Sequence, residues 1–87
     1  MEYYILEYII YTMSIYSPQY KRLANEIKRV RQNTNLNQQD FAKKLDVSQS
    51  YISKLENGQI KIDVLLMKKI AKILNLDINK LLVDIEG

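Results

Sequence analysis

Two hydrophobic periodicities divide the chain. From Ile9 to Tyr16 the side chains alternate, with Ile9, Tyr11, Met13 and Ile15 on one side and Ile10, Thr12, Ser14 and Tyr16 on the other. β-Branched and aromatic residues dominate this stretch, which favours a strand. Leu6, Ile10 and Met13 also fall at helical spacing, so a helix stays open for the same segment, and Pro18 closes it. From Tyr20 the period becomes 3.6. Leu23, Ile27 and Val30 form an apolar stripe on a helix predicted from about Gln19 to Asn33. Asn33-Thr34-Asn35-Leu36 is a turn in which Asn35 can take the left-handed conformation that ends a helix. Asn37 caps a short second helix to about Leu45, with Phe41, Ala42 and Leu45 inward and Asp40 in the first turn, where the helix dipole favours an anion. Asp46-Val47-Ser48 then turns the chain, and Ser48 caps a third helix whose Ile52 and Leu55 point inward and which ends at Asn57-Gly58. Asp63 opens a fourth helix with Leu66, Ile70, Ile73 and Leu74 on its apolar face, stopped by Asn75, and Asp77 caps a short fifth through Leu82. The expected organisation is an apolar extension over 1–19 followed by an all-α domain over 20–87.

Composition limits the chemistry. Eighty-seven residues support one hydrophobic core. With neither Cys nor His, thiolate and imidazole chemistry are absent, and no carboxylate pair is spaced to single out an acid and a base. No glycine-rich phosphate loop is present. The expectation is therefore a protein that is not an enzyme and uses no cofactor and no metal. The net charge of +3 is unevenly spread: residues 21–36 carry Lys21, Arg22, Lys28, Arg29 and Arg31 against Glu26 alone, while residues 1–20 carry only Glu2 and Glu7. An anionic partner would meet that short basic stretch. Tyr3 to Tyr16 holds five of the seven tyrosines, but it is shorter than the roughly 20 residues a membrane-crossing helix needs and contains Glu7. No basic n-region opens the chain as in a secretory signal, so a cytoplasmic location is expected.

Two short helices joined by a three-residue turn make a helix-turn-helix, and the outward face of the third helix carries the chemistry. Gln49, Ser50, Ser53, Lys54 and Asn57 lie there. A face shaped only by solubility and helicity would carry Glu, Lys, Arg and Ala; this one is rich in hydrogen-bonding groups and free of acid. Gln can bond an adenine edge twice, Ser either base type, and Lys the O6 and N7 of guanine. Lys68, Lys69, Lys72 and Lys80, by contrast, follow the solvent side of the fourth and fifth helices, as an ordinary charged outer face does.

Gln38-Gln39-Asp40-Phe41-Ala42, followed by Leu45 through Gly58 with its Leu55-Glu56-Asn57-Gly58 run, resembles the XRE family of helix-turn-helix regulators, typified by the Cro and CI phage repressors. The resemblance covers about Leu23 to Leu82. It implies a five-helix, lambda-repressor-like domain acting as a homodimer on a double-stranded DNA operator. It places Gln49, Ser50 and Lys54 at base edges, with Ser53 contributing less regularly. Gln38, Tyr51, Asn57 and Lys61 match backbone contacts, and Asn37 and Lys43 are weaker candidates. The positions of Arg31 and Glu56 match a partly buried ion pair whose role is structural.

The chain departs from that family where relatives commonly have Gly, carrying Asn35, Asp46 and Asn75 instead. The larger departure is the Tyr/Ile-rich extension, whose Tyr8, Tyr11 and Ile15, together with Leu82 near the C-terminus, are candidates for an oligomer contact. Folding back onto its own domain is the alternative. The expected function is a sequence-specific DNA-binding transcriptional regulator, by default a repressor. The competing expectation is a helix-turn-helix antitoxin or adaptor that holds a protein partner through residues 1–19.

Overall fold

A computed structural model describes residues 16–77 and 80–81. Among them all regular structure is helical: α1 (Pro18–Asn33), α2 (Gln38–Leu45), α3 (Gln49–Glu56) and α4 (Val64–Leu74). The expected strand or helix at the N-terminus, with Tyr8, Tyr11 and Ile15, lies outside the described residues, as does Leu82. Of the expected fifth helix, Lys80 and Leu81 are helical. The Lys80 N–H donates to Asp77 Oδ1 (3.2 Å) and the Leu81 N–H to the Asp77 carbonyl (2.9 Å), so Asp77 caps the turn as its position predicted.

Each helix begins with the same device. A short polar side chain in extended conformation accepts a first-turn N–H that would otherwise lack a partner. Ser17 accepts from Tyr20, Asn37 from Asp40, Ser48 from Tyr51 and Asp63 from Leu66, over 2.7–3.2 Å. α1 starts a residue earlier than the stripe suggested, because Pro18 takes the first helical position, where its missing N–H has no helical partner to lose. The turns rely on left-handed residues: Asn35 (φ 62°), Asp46 (φ 59°), Asn75 (φ 53°) and Gly58 (φ 70°). The three non-glycine cases are those noted above as Gly in the family that the sequence resembles, and short Asn and Asp side chains tolerate the conformation better than other non-glycine residues do. After Asp46 the Val47 N–H reaches back to the Ala42 carbonyl (3.0 Å), closing the tight turn between α2 and α3.

α2 packs closely on α3, α3 also meets α1, and α4 packs across α1 and α2. Tyr20, Leu23 and Ile27 from α1, Phe41 and Leu45 from α2, Ile52 and Leu55 from α3, and Met67, Ile70 and Leu74 from α4 fill one core with Ile62 and Leu81. Full burial of each large apolar side chain is worth about 1.5–3 kcal/mol before chain entropy is counted. Val30, Leu66 and Ile73, expected on the inner stripes, are half-buried at the core's margin. No helix among the described residues is long and apolar enough to cross a membrane.

Candidate nucleic-acid interface

α3 is eight residues long, and its two faces differ completely. Ile52, Leu55 and Glu56 are buried, whereas Gln49, Ser50, Lys54 and Asn57 are exposed and Ser53 is half-buried. At 100° per residue these five outward positions span an arc of about 140°, the width of one helix face. That face contains amide, hydroxyl and ammonium groups and no carboxylate. Tyr51 is half-buried between the faces. Burial raises its phenol pKa above the ordinary value, and the Asp63 carboxylate adds to the rise.

A buried ion pair anchors the C-terminal end of α3. Arg31, 6% exposed, and Glu56, 3% exposed, form a two-pronged contact, Nε to Oε2 at 2.5 Å and Nη2 to Oε1 at 3.1 Å. The remaining Arg31 Nη1 donates to the Leu36 carbonyl at 2.7 Å. Gln38, at the start of α2, donates from Nε2 to Glu56 Oε1 at 3.1 Å. Each charge is therefore matched by opposite charge or by hydrogen bonds, as burial of an ion requires. Among the described residues no buried side-chain nitrogen or oxygen is left without a partner. The pair ties α3 to the end of α1, and Gln38 adds the first turn of α2. Gln38, expected at a phosphate, thus also belongs to the network that holds the helix-turn-helix together.

The other expected backbone-contacting residues surround this unit. Asn37 is exposed, with its Oδ1 engaged in the α2 cap, and Lys43 is exposed on α2. Lys61 is exposed in the segment joining α3 to α4. Lys68, Lys69, Lys72 and Lys80 are exposed outside the helix-turn-helix. A groove beside α1, lined by Glu26, Arg29, Val30, Leu76, Asp77 and Lys80, contains none of the candidate residues among those described.

Sequence reasoning gave no role to Tyr20, which turns out to be fully buried. Its hydroxyl accepts from the Ile62 N–H at 2.6 Å and donates to the Ile60 carbonyl. Burial pushes its pKa up to about 12, an effect partly offset by the Ile62 N–H and slightly reinforced by Tyr51. Tyr20 continues the Leu23, Ile27 stripe one step back, so its burial was legible. Its partners, 40 and 42 residues away, were not.

A family model described as helix-turn-helix matches residues 27–81. The chain is 33% identical over 66 residues to control protein C.MunI of Mycoplasma sp, a match spanning 75% of this chain and 89% of that one. It is 38% identical over 61 residues to the ImmF control region 10 kDa protein of Bacillus phage phi105, spanning 70% and 68% of the two chains.

Proposed function

The chain belongs to the XRE helix-turn-helix family of DNA-binding transcription regulators, and from that premise we propose that it is a sequence-specific operator-binding repressor that inserts α3 into the major groove. The observation that carries this reading is the outer face of α3: exposed Gln49, Ser50 and Lys54, with Ser53 beside them, on a helix whose opposite side is buried and ion-paired. A rigid helix with an acid-free hydrogen-bonding face suits base edges, which differ from one another in donor and acceptor pattern. Gln38, Tyr51, Asn57 and Lys61, with Asn37 and Lys43 at the margin, supply backbone contacts that set register and add salt-dependent affinity. Both relatives are named for control, which supports regulation by occupancy of a control region.

The protein acts in the cytoplasm as a homodimer, with Tyr8, Tyr11, Ile15 and Leu82 contributing to the protomer contact. The test is selection of binding sites from a random duplex library, followed by titration of the selected site across a salt series. Enrichment of a palindrome with half-site centres about 10 bp apart is expected for a dimeric reader. Weak binding that enriches no sequence and vanishes as salt rises would leave only nonspecific phosphate attraction and overturn the reading.

A further inference from the structure

We propose that the first turn of α1 is a clasp that positions the segment between α3 and α4 for contact with the DNA backbone, with Tyr20 and Lys21 as its positioning residues. The inference rests on the DNA-binding reading above. Two adjacent residues of α1 contact residues 57–62, Tyr20 from the core and Lys21 from the exposed surface. Tyr20 bridges the Ile60 carbonyl and the Ile62 N–H through one buried hydroxyl, which fixes the backbone on both sides of Lys61. Ile60 is half-buried, Lys61 exposed and Ile62 buried, so the bridge sets which residue of the three faces outward.

Lys21 holds the earlier part of the segment. Its Nζ makes a long hydrogen bond of 3.5 Å to the Asn57 carbonyl, and its aliphatic stem lies across Gly58. A Cβ at Gly58 would come within 3.2 Å of Lys21 Cδ, and φ there is +70°, so the chain passes beneath Lys21 in a conformation suited to glycine. A cation at the C-terminal end of α3 is also favourable to the helix dipole. The clasp therefore reaches both Asn57 and Lys61, the residues read as backbone contacts at this end of the interface. The family match begins at residue 27, so Tyr20 and Lys21 belong to a part of the chain outside it.

The test is a double-mutant cycle on DNA binding, with folding followed by circular dichroism. Lys61→Ala alone is expected to weaken binding about three- to ten-fold and to lower the slope of log affinity against log salt by about one. Tyr20→Phe is expected to produce the same kind of loss with base preference unchanged. In the Tyr20→Phe background, Lys61→Ala should then cost less than about two-fold, because the side chain is no longer held in place. The cycle is repeated with Lys21→Met, an exposed site whose substitution leaves the core intact. Less than additive losses with Lys61→Ala support the clasp there as well, and decide the question if Tyr20→Phe does not fold. Wild-type affinity and salt slope in folded Tyr20→Phe, or full additivity with Lys61→Ala in the variants that fold, would overturn the clasp while leaving the DNA reading intact. Absence of sequence-selective, salt-dependent binding by the unmodified protein would instead remove the reading on which the clasp rests, and the clasp with it.

Discussion

α3 and α4 both turn lysines outward, yet they are built on opposite terms. α4 runs eleven residues, and Leu, Met, Lys, Ala and Ile make nearly all of it, so most of its side chains favour helix. Its outer positions, Lys68, Lys69 and Lys72 with Leu65 at 72% exposure, are what a solvated helix carries anyway. α3 has eight residues, two of them serine and one tyrosine, and an isolated helix of that length and composition would not persist in water. Its shape is imposed from outside by the Ser48 cap, by Ile52 and Leu55 in the core, and by Arg31 and Gln38 on Glu56. A surface that goes against local helix preference while neighbouring elements hold it in place supports the proposed reading of this face as a contact surface. Cations that agree with local preference, as on α4, need no such explanation.

The largest expected effect comes from removing what holds α3. Glu56→Ala leaves the Arg31 guanidinium buried with the Leu36 carbonyl as its remaining partner among the contacts described, and frees the Gln38 amide from its acceptor. Breaking a buried pair on one side costs about 3–5 kcal/mol, a large share of the total stability of a small domain. Chemical denaturation should show that loss directly, with DNA binding falling in parallel. Combining it with Arg31→Met should recover much of the stability, because the uncompensated charge is then gone. A Glu56→Ala protein as stable as the parent would show that α3 is not held in the way its composition requires.

Much of this arrangement was legible in the sequence because its causes are local. Asn37, Ser48 and Asp63 announced caps and Asn35 a left-handed turn, each through the chemistry of a single side chain, while Asp46 and Asn75 stood out only as positions where the resembled family commonly has Gly. The Arg31–Glu56 pair was legible only through resemblance, since nothing local relates residues 25 apart. The Tyr20 bridge was hidden for a similar reason. A tyrosine on an apolar stripe reads as core, and only the folded chain brings the 60–62 segment to its hydroxyl. Gln38 illustrates a third case, a residue at a recognisable motif position whose amide nitrogen turned out to be engaged inside the protein.

A smaller effect separates the two lysine-bearing faces. Lys54→Ala should reduce affinity for the selected operator by about 1–3 kcal/mol and relax preference at one base position, with unfolding unchanged within about 0.5 kcal/mol. Lys69→Ala should leave both base preference and stability near wild type, because its ammonium lies on the solvated face of α4. Titrating both variants against the operator and against scrambled duplex checks the contrast. Equal losses on both duplexes for Lys54→Ala would reduce that residue to a backbone contact and weaken the distinction drawn between α3 and α4.

The smallest effect concerns the joint between these helices and appears only at high pH. Tyr20 has its pKa raised from 10.0 to about 12 in the folded protein, chiefly by burial. The folded state thus retains the phenolic proton over a range in which the unfolded chain has begun to lose it. Below pH 10 both states carry that proton, and the group adds no pH dependence. Between about pH 10 and 12 the unfolded state binds fewer protons, so stability falls as pH rises. One pKa unit corresponds to about 1.4 kcal/mol, which makes the expected loss roughly 1 kcal/mol by pH 11. The comparison with Tyr20→Phe removes every contribution that the two proteins share. Tyr20→Phe starts less stable, having lost the bonds to Ile60 and Ile62, but its stability should decline less steeply than the parent's in urea titrations from pH 9 to pH 11. Parallel declines would show that the hydroxyl ionises as readily in the folded protein as in the unfolded chain, and that its place between α1 and the 60–62 segment does not hold the proton.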